Sequence, residues 1–307
     1  MKALQLNNVT ISLPGKWNEL SCKQYLSVCE ILETYSNINE LRLLLLLKIS
    51  GIRVLRNKIK YIDNERCFKI IYNRSVYGWI SVVDLAFVAS AFDFIFNVTK
   101  NKEGVQQYGI DCKLTTNLLP HIVVKKANIF KLQKSTILYG PDDGLTNLVF
   151  SEYISAETNL SRWHNTKDDT YLYKFLAVLY RPGKKESEWK LPTFDGDMRL
   201  PFNEASIDKH AKLTAQLSAV ERKAILLWYS GCKQFMFERF PHVFSRENST
   251  GKTQDPFKSF MDLVAILADN KPADKPIIRK QLLFDILDSL EKMRIEAIER
   301  EQNQPKK

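Results

Sequence analysis

Apolar residues recur at three- and four-residue intervals through most of the second half of this chain, and that spacing limits the fold more than any other feature. It predicts helices over 148–160, 171–179, 217–240, 257–268 and 278–300. The segment 181–203 holds three prolines and two glycines, which predicts a long loop that is functional or mobile. The sequence therefore predicts a helical domain over 139–302 that contains this loop, followed by a polar tail at 303–307.

The first part of the chain has a different pattern, in which short apolar runs alternate around turn residues. Residues 3–6 and 9–13 flank Asn7–Asn8, and a second alternating run, 53–72, is divided by Asp63–Asn64. Asparagine and aspartate tolerate the positive φ angles that tight hairpin turns require. Both runs are therefore interpreted as β-hairpins. A further β-rich stretch is expected near residues 121–132.

Helix signals also occur in this part of the chain. Ser21 and Gln24 have the spacing of a capping box, and a second helix is predicted to begin at Asn37 and to end at Gly51. A third helix is predicted over 81–97. Hairpins and helices together predict a mixed N-terminal domain over 1–138. The expected fold class is α+β, predominantly helical.

A bilayer-spanning segment is not expected. The apolar run 41–49 is far shorter than the roughly 20 residues that span a bilayer. The longer stretch 79–98 contains Asp84 and Asp93, and each would cost about 3 kcal/mol near a membrane centre. The N-terminus has no signal-peptide core. The five cysteines are scattered without a C-x-x-C pair and are interpreted as reduced thiols.

Catalytic and metal-binding motifs are weak throughout. Residues 249–253 read STGKT, but Arg246 stands where a phosphate-binding loop needs glycine. The four histidines lack metal-ligand spacing, and the D-G-D at 195–197 fits a turn. His164 with Asp168 and Asp169 is the one local group that could form a base with an orienting carboxylate. No cofactor, metal or catalytic residue is predicted, although an enzyme of unrecognised type stays an alternative.

The charge is uneven, and its excess lies in the first part of the chain. The formal net charge is +10, with 17 Lys/Arg against 10 Asp/Glu in residues 1–130 and 28 against 25 in residues 131–307. Basic surfaces attract nucleic acid because phosphate neutralisation releases counterions. A nucleic-acid-associated protein is therefore the alternative function. Its predicted contacts lie in the second hairpin, at Arg53, Arg56, Lys58, Lys60, Arg66 and Lys69.

The last predicted helix carries a narrow apolar seam. The seam follows alternating steps of three and four residues, as coiled-coil helices do. It consists of Leu283, Ile286, Leu290, Met293 and Ala297. This spacing favours either packing within the domain or docking on a helical partner, and these five residues are the predicted partner-binding site.

The order of segments in the second half resembles a group of uncharacterised phage and prophage proteins from the tail genes. The matching segments are LYGPDDGLTNLVFSEYISAE, TYLYKFLAVLYRPG and the later LPFN, with LPGKWNELSCKQYLSV near the N-terminus. The resemblance implies a chain whose gene lies near the gene of the tape-measure protein, at the position where tail assembly chaperones are usually encoded. It implies a protein of the host cytoplasm or the virion that binds a tape-measure protein or another tail component. The chain is longer and more basic than small tail chaperones.

Overall fold

The computed structural model describes residues 2–6, 9–35, 37–72, 75–100, 104, 106–126, 134–244 and 256–303. The chain divides into two compact units, Met1–Leu114 with Ala219–Gly231, and Thr115–Ser218 with Cys232–Lys307. The fold class is α+β and predominantly helical, as predicted. Asn7–Asn8, residues 127–132 of the expected β-rich stretch, the STGKT segment and all but one residue of the polar tail lie outside the described residues.

The first unit combines antiparallel strands with short helices. Its elements are β1 (Lys2–Leu6), β2 (Val9–Leu13), α1 (Cys22–Thr34), α2 (Ile38–Ser50), β3 (Arg53–Ile62), β4 (Glu65–Tyr72), β5 (Ser75–Ser81), α3 (Val82–Ala89), β6 (Phe96–Lys100) and β7 (Gln106–Ile110). Strands β1 and β2 pair as the first predicted hairpin. Strands β3, β4 and β5 form a sheet in that order, and β6 pairs with β7.

Local signals determine where the first two helices begin and end. Ser21 and Gln24 form the predicted capping box of α1. The side chain of Asn37 accepts hydrogen bonds from the backbone N–H groups of Asn39 and Glu40 at the start of α2. Gly51, with φ of 75°, ends α2 in the left-handed conformation that glycine adopts without strain. These predictions are confirmed.

The helix predicted over 81–97 is wrong in its second half. Ser81 caps α3 as its side chain accepts a hydrogen bond from the Asp84 N–H, but α3 ends at Ala89. A 3-10 helix follows over Ser90–Ile95, and Phe96 then begins a strand that pairs with β7. Phe92 and Ile95 are fully buried in the 3-10 turn. Burial of these side chains together with strand pairing explains why the apolar stretch does not continue as one helix.

The second unit is the more helical one. Its elements are β8 (His121–Lys126), β9 (Lys134–Tyr139), α4 (Phe150–Thr166), α5 (Asp169–Leu179), β10 (Arg181–Pro182), α6 (Glu186–Trp189), α7 (Ile207–Thr214), α9 (Pro256–Leu267), α10 (Lys275–Lys280) and α11 (Leu283–Asn303). Helix α8 (Ala219–Arg239) contributes its first part to the first unit and its last part to the second. Within the described residues, no helix has the length and apolar character needed to cross a membrane.

The division between the units differs from the boundary expected after residue 138. Strands β8 and β9 pair with each other, and β9 also pairs with β10, which follows α5 directly. The hydroxyl of buried Tyr180 donates to the carbonyl oxygen of Leu119 at 2.9 Å. Residues 115–138 therefore belong with the helices of the second unit.

Candidate functional site

Two arginines at the ends of the segment 181–203 are buried beside α4. Arg181 is 2% exposed and Arg199 is 1% exposed. Nη2 of Arg181 donates to Oε1 of Glu152 at 2.7 Å, and Nη1 of Arg199 lies 3.3 Å from Oε2 of the same carboxylate. Asp197 accepts from Nε of Arg199 at 2.9 Å and from Nη2 at 2.8 Å. These four side chains form what we call the buried ion network.

Backbone carbonyl groups satisfy most of the remaining guanidinium N–H groups. Arg181 donates to the carbonyl oxygens of Leu200 and Val178, at 2.8 and 2.6 Å. Burial lowers the pKa of Arg181. Burial would also lower the pKa of Arg199, but the adjacent carboxylates outweigh it and raise that pKa. Both guanidiniums remain charged, because arginine does not lose its proton in proteins at ordinary pH.

The buried ion network holds the two ends of the long loop together. The backbone N–H of Lys184 donates to the carbonyl oxygen of Met198 at 2.9 Å. The backbone N–H of Leu200 donates to the carbonyl oxygen of Pro182 at 2.8 Å. The Lys184 ammonium pairs with Asp195 at 2.7 Å. The loop thus leaves and returns at one place in the second unit.

A cleft of about 570 Å³ lies over this network. Its charged lining residues are Asp142, Glu152, Arg181, Lys184, Asp195, Asp197, Arg199 and Lys280. The cations and carboxylates are equal in number, so the cleft has no excess charge that would attract an ion. Its carboxylates at Glu152, Asp195 and Asp197 are already paired with cations. The described residues contain no group of three or more His, Cys, Asp or Glu side chains that could hold a metal ion.

The local group around His164 does not assemble a base with an orienting carboxylate. Asp168 accepts from the backbone N–H of Thr170 and caps α5, and Asp169 accepts from the indole N–H of Trp163 at 3.2 Å. His164 packs against the Trp163 ring, with 4.9 Å between the ring centroids. Burial, followed by the charges of nearby lysines, lowers the pKa of His164. Both carboxylates therefore have other hydrogen-bond partners.

The apolar seam of α11 is buried at its start and exposed at its end. Leu283, Ile286 and Leu290 are 0%, 1% and 7% exposed. Beyond them Met293 is 47% exposed, and Ala297 is partly exposed. Helix α11 begins next to the start of α4, because the backbone N–H of Leu283 donates to the carbonyl oxygen of Leu148, two residues before α4. Only the last turns of the seam are thus left for a partner.

The predicted basic patch lies on the hairpin of β3 and β4. Arg53, Lys58, Lys60 and Arg66 are exposed, and Lys69 is partly exposed. Arg56 is part of β3, but its side chain lies outside the described set. The hairpin brings these residues onto one two-stranded ribbon.

Sequence reasoning missed the buried ion network. Glu152 lies in the first turn of α4 among buried apolar residues, and arginines stand at both ends of the long loop. A carboxylate within an apolar helix face and a pair of arginines are signals of a buried ion pair, since such charges are rarely buried alone. Spacing alone could not pair them, because they are far apart in the sequence.

Comparison with known proteins gives no relative for this chain. No family model matches it, and neither a curated protein nor a solved structure matches it.

Proposed function

We propose that this chain is a non-enzymatic phage protein that acts in tail or virion assembly by binding another phage protein. The proposed partner is the tape-measure protein or another tail component. The segments quoted above support the phage context, and the exposed end of α11 supports the mode of binding. On this proposal the protein works in the host cytoplasm, as an assembly chaperone, or as part of the virion.

The observation that carries the proposal is the continuation of one apolar seam from the core into solvent. Leu290 is 7% exposed, whereas Met293, one step along the same seam, is 47% exposed. The buried start fixes the helix in the second unit. The exposed end offers apolar side chains at the spacing that a facing helix uses. Such a surface is stabilised when a partner removes it from water.

The chemistry of the exposed end suits a helical partner. Methionine is unbranched and adapts to irregular partner surfaces. Arg294 and Glu296 are exposed on either side of the seam and can form ion pairs with a facing helix. A long, largely helical protein such as the tape-measure protein supplies the complementary apolar stripe.

Co-purification with the tape-measure protein of the same phage tests this proposal. The double variant Met293→Glu/Ala297→Glu places two charges in the seam, and we expect it to weaken binding at least about tenfold, since uncompensated charges in an apolar interface cost more than 1.4 kcal/mol. Glutamate favours helix, so α11 itself should be retained. Binding is measured by pull-down and by titration calorimetry.

Ile295→Glu is the matched control. Ile295 is 38% exposed and lies on the opposite side of α11 from Met293, because two residues along a helix turn the side chain by about 200°. The control should bind as the unaltered chain does. Failure of the unaltered chain to co-purify with any tail protein, or equal loss in both variants, would contradict the proposal.

A further inference from the structure

The hairpin of β3 and β4 extends past the sheet as a two-stranded arm. The last pair between β4 and β5 joins Cys67 to Ser81, whereas β3 and β4 continue to pair as far as Ile62 and Glu65. Asp63 and Asn64 make the turn, with φ of 49° and 63°. Positive φ at both positions is the signature of a type I′ turn, which matches the twist of an antiparallel ribbon. We call residues 58–66 the arm.

The arm is exposed on both faces and is rich in cations. Every residue from 58 to 66 is exposed. Residues 53–72 contain six Lys/Arg against two Asp/Glu. Among the described residues, Lys58, Lys60 and Lys69 make no ion pair with a carboxylate. Their charge is therefore not neutralised within the chain.

Strand register assigns the cations to two faces. Lys60 stands opposite Cys67, so Lys60 and Lys69 share one face, and Lys58 lies in the irregular part of β3 between Leu55 and Ile59. Tyr61 stands opposite Arg66 on the other face. The Arg66 guanidinium lies 5.2 Å from the centre of the Phe68 ring. A ribbon with cations on both faces suits a site that has negative charge on both sides.

The dimensions of the arm agree with such a site. Two paired strands lie about 4.8 Å apart, and with their side chains they fill a channel about 12 Å wide. The major groove of B-form DNA has this width and is bordered by phosphates on both sides. The major groove of an A-form RNA duplex is too narrow for side chains to enter.

We propose that the arm binds double-stranded DNA by inserting into its major groove. Lys58 and Lys60 contact phosphates on one side, and Arg66 contacts phosphates on the other. Tyr61, which is 69% exposed, lies against the base edges. Ile59 and Tyr61 lie two residues apart on β3, so these exposed side chains share the face of the arm that carries Arg66.

Fluorescence anisotropy with a labelled DNA duplex of about 30 base pairs tests this inference. The unaltered chain should bind the duplex, and about three phosphate contacts predict a loss of about fortyfold in affinity between about 50 and 200 mM salt. Lys58→Glu/Lys60→Glu should weaken binding at least about tenfold. It should also reduce the slope of log affinity against log salt by about two, one for each lost phosphate contact. Because these side chains are exposed, the melting temperature should not change.

Lys209→Glu/Lys212→Glu is the control, since it changes the net charge equally at exposed positions of α7. It should bind DNA nearly as the unaltered chain does. Lys58→Gln/Lys60→Gln gives the same comparison without added negative charge. Absence of binding at low salt, equal loss in arm and control variants, or tighter binding of single strands or RNA duplex would overturn the inference. So would an arm variant that binds DNA normally but no longer captures the tail partner.

Discussion

At the scale of single residues, Glu152 has the largest predicted effect on stability. Its carboxylate is 3% exposed and lies between the guanidinium groups of Arg181 and Arg199. A buried network of this kind adds little net stability compared with apolar residues of the same size. Removing one partner is different, because the opposite charges are then left buried and unpaired. The network therefore fixes the position of the loop more than it strengthens the fold.

We expect Glu152→Gln to lower the free energy of unfolding by about 3–5 kcal/mol, since it keeps the size of the side chain but removes its charge and replaces one acceptor oxygen by an NH2 donor that faces a guanidinium group. Glu186→Gln is the control. Glu186 pairs with Lys190 on the surface, where both side chains are more than 70% exposed, and its loss should change stability by less than about 0.5 kcal/mol. Urea unfolding measures both, because urea does not screen charge. Similar losses in the two variants would mean that the network is not buried.

At the scale of elements, local signals in the sequence were sufficient where a helix or turn depends on its own residues. The capping box at Ser21, the end of α2 at Gly51 and the turn at Asp63–Asn64 were all predicted. The end of α3 and the pairing of Glu152 with the two arginines were not. The first depends on burial and on the pairing of β6 with β7, and the second on segments distant in the sequence. Periodicity within one segment carries no information about its partner.

Helix α11 provides a pH-dependent contact with the segment that follows α8. Glu291 accepts hydrogen bonds from the backbone N–H groups of His242 and Val243, at 3.2 and 2.9 Å, and its Oε1 lies 2.6 Å from His242 Nδ1. Burial alone would raise the pKa of Glu291, but these hydrogen bonds hold it below its ordinary value of 4.5. A lowered carboxylate pKa stabilises the fold above the unfolded-state pKa and loses that effect as the pH falls through the folded-state pKa.

Glu291→Gln should therefore lower the free energy of unfolding by on the order of 2 kcal/mol at about pH 7, the usual contribution of hydrogen bonds to a charged group. The difference from the unaltered chain should shrink as the pH falls below 4.5 and should be lost once the pH has passed through the lowered folded-state pKa of Glu291. Urea unfolding at several pH values measures this. Glu299→Gln, an exposed position on the same helix, should show no such trend. A difference that does not depend on pH would indicate a purely steric effect.

At the scale of the whole molecule, the chain leaves the first unit after Leu114, returns to it at Ala219 and leaves again after Gly231. The sequence predicted helix α8 but not the unit in which its first part is packed. Tyr25 shows the reason, since its hydroxyl donates to the carbonyl oxygen of Ala224 across 199 positions of sequence. Trp228 and Tyr229, each 1% exposed, are also core residues of the first unit. The apolar residues of α8 could pack in the core of either unit, and composition alone does not show which one.

Gly231 tests this packing, because the backbone of the segment before Leu114 lies directly against it. A methyl group at Gly231 would overlap the carbonyl oxygen of Leu114 and would lie 2.9 Å from that of Cys112. Glycine to alanine inside a helix ordinarily stabilises a protein by about 1 kcal/mol. Here we expect the opposite sign, a loss of about 1–3 kcal/mol, because backbone atoms cannot move aside as a flexible side chain can.

Ser230→Ala gives the matched comparison at the adjacent exposed position of α8, and it should change stability by no more than about 0.5 kcal/mol. Urea unfolding curves for the two variants decide the sign. If Gly231→Ala were as stable as the unaltered chain or more so, the segment ending at Leu114 could not pack on α8 as described. The first part of α8 would then not belong to the first unit, so this single methyl group tests how the chain is divided.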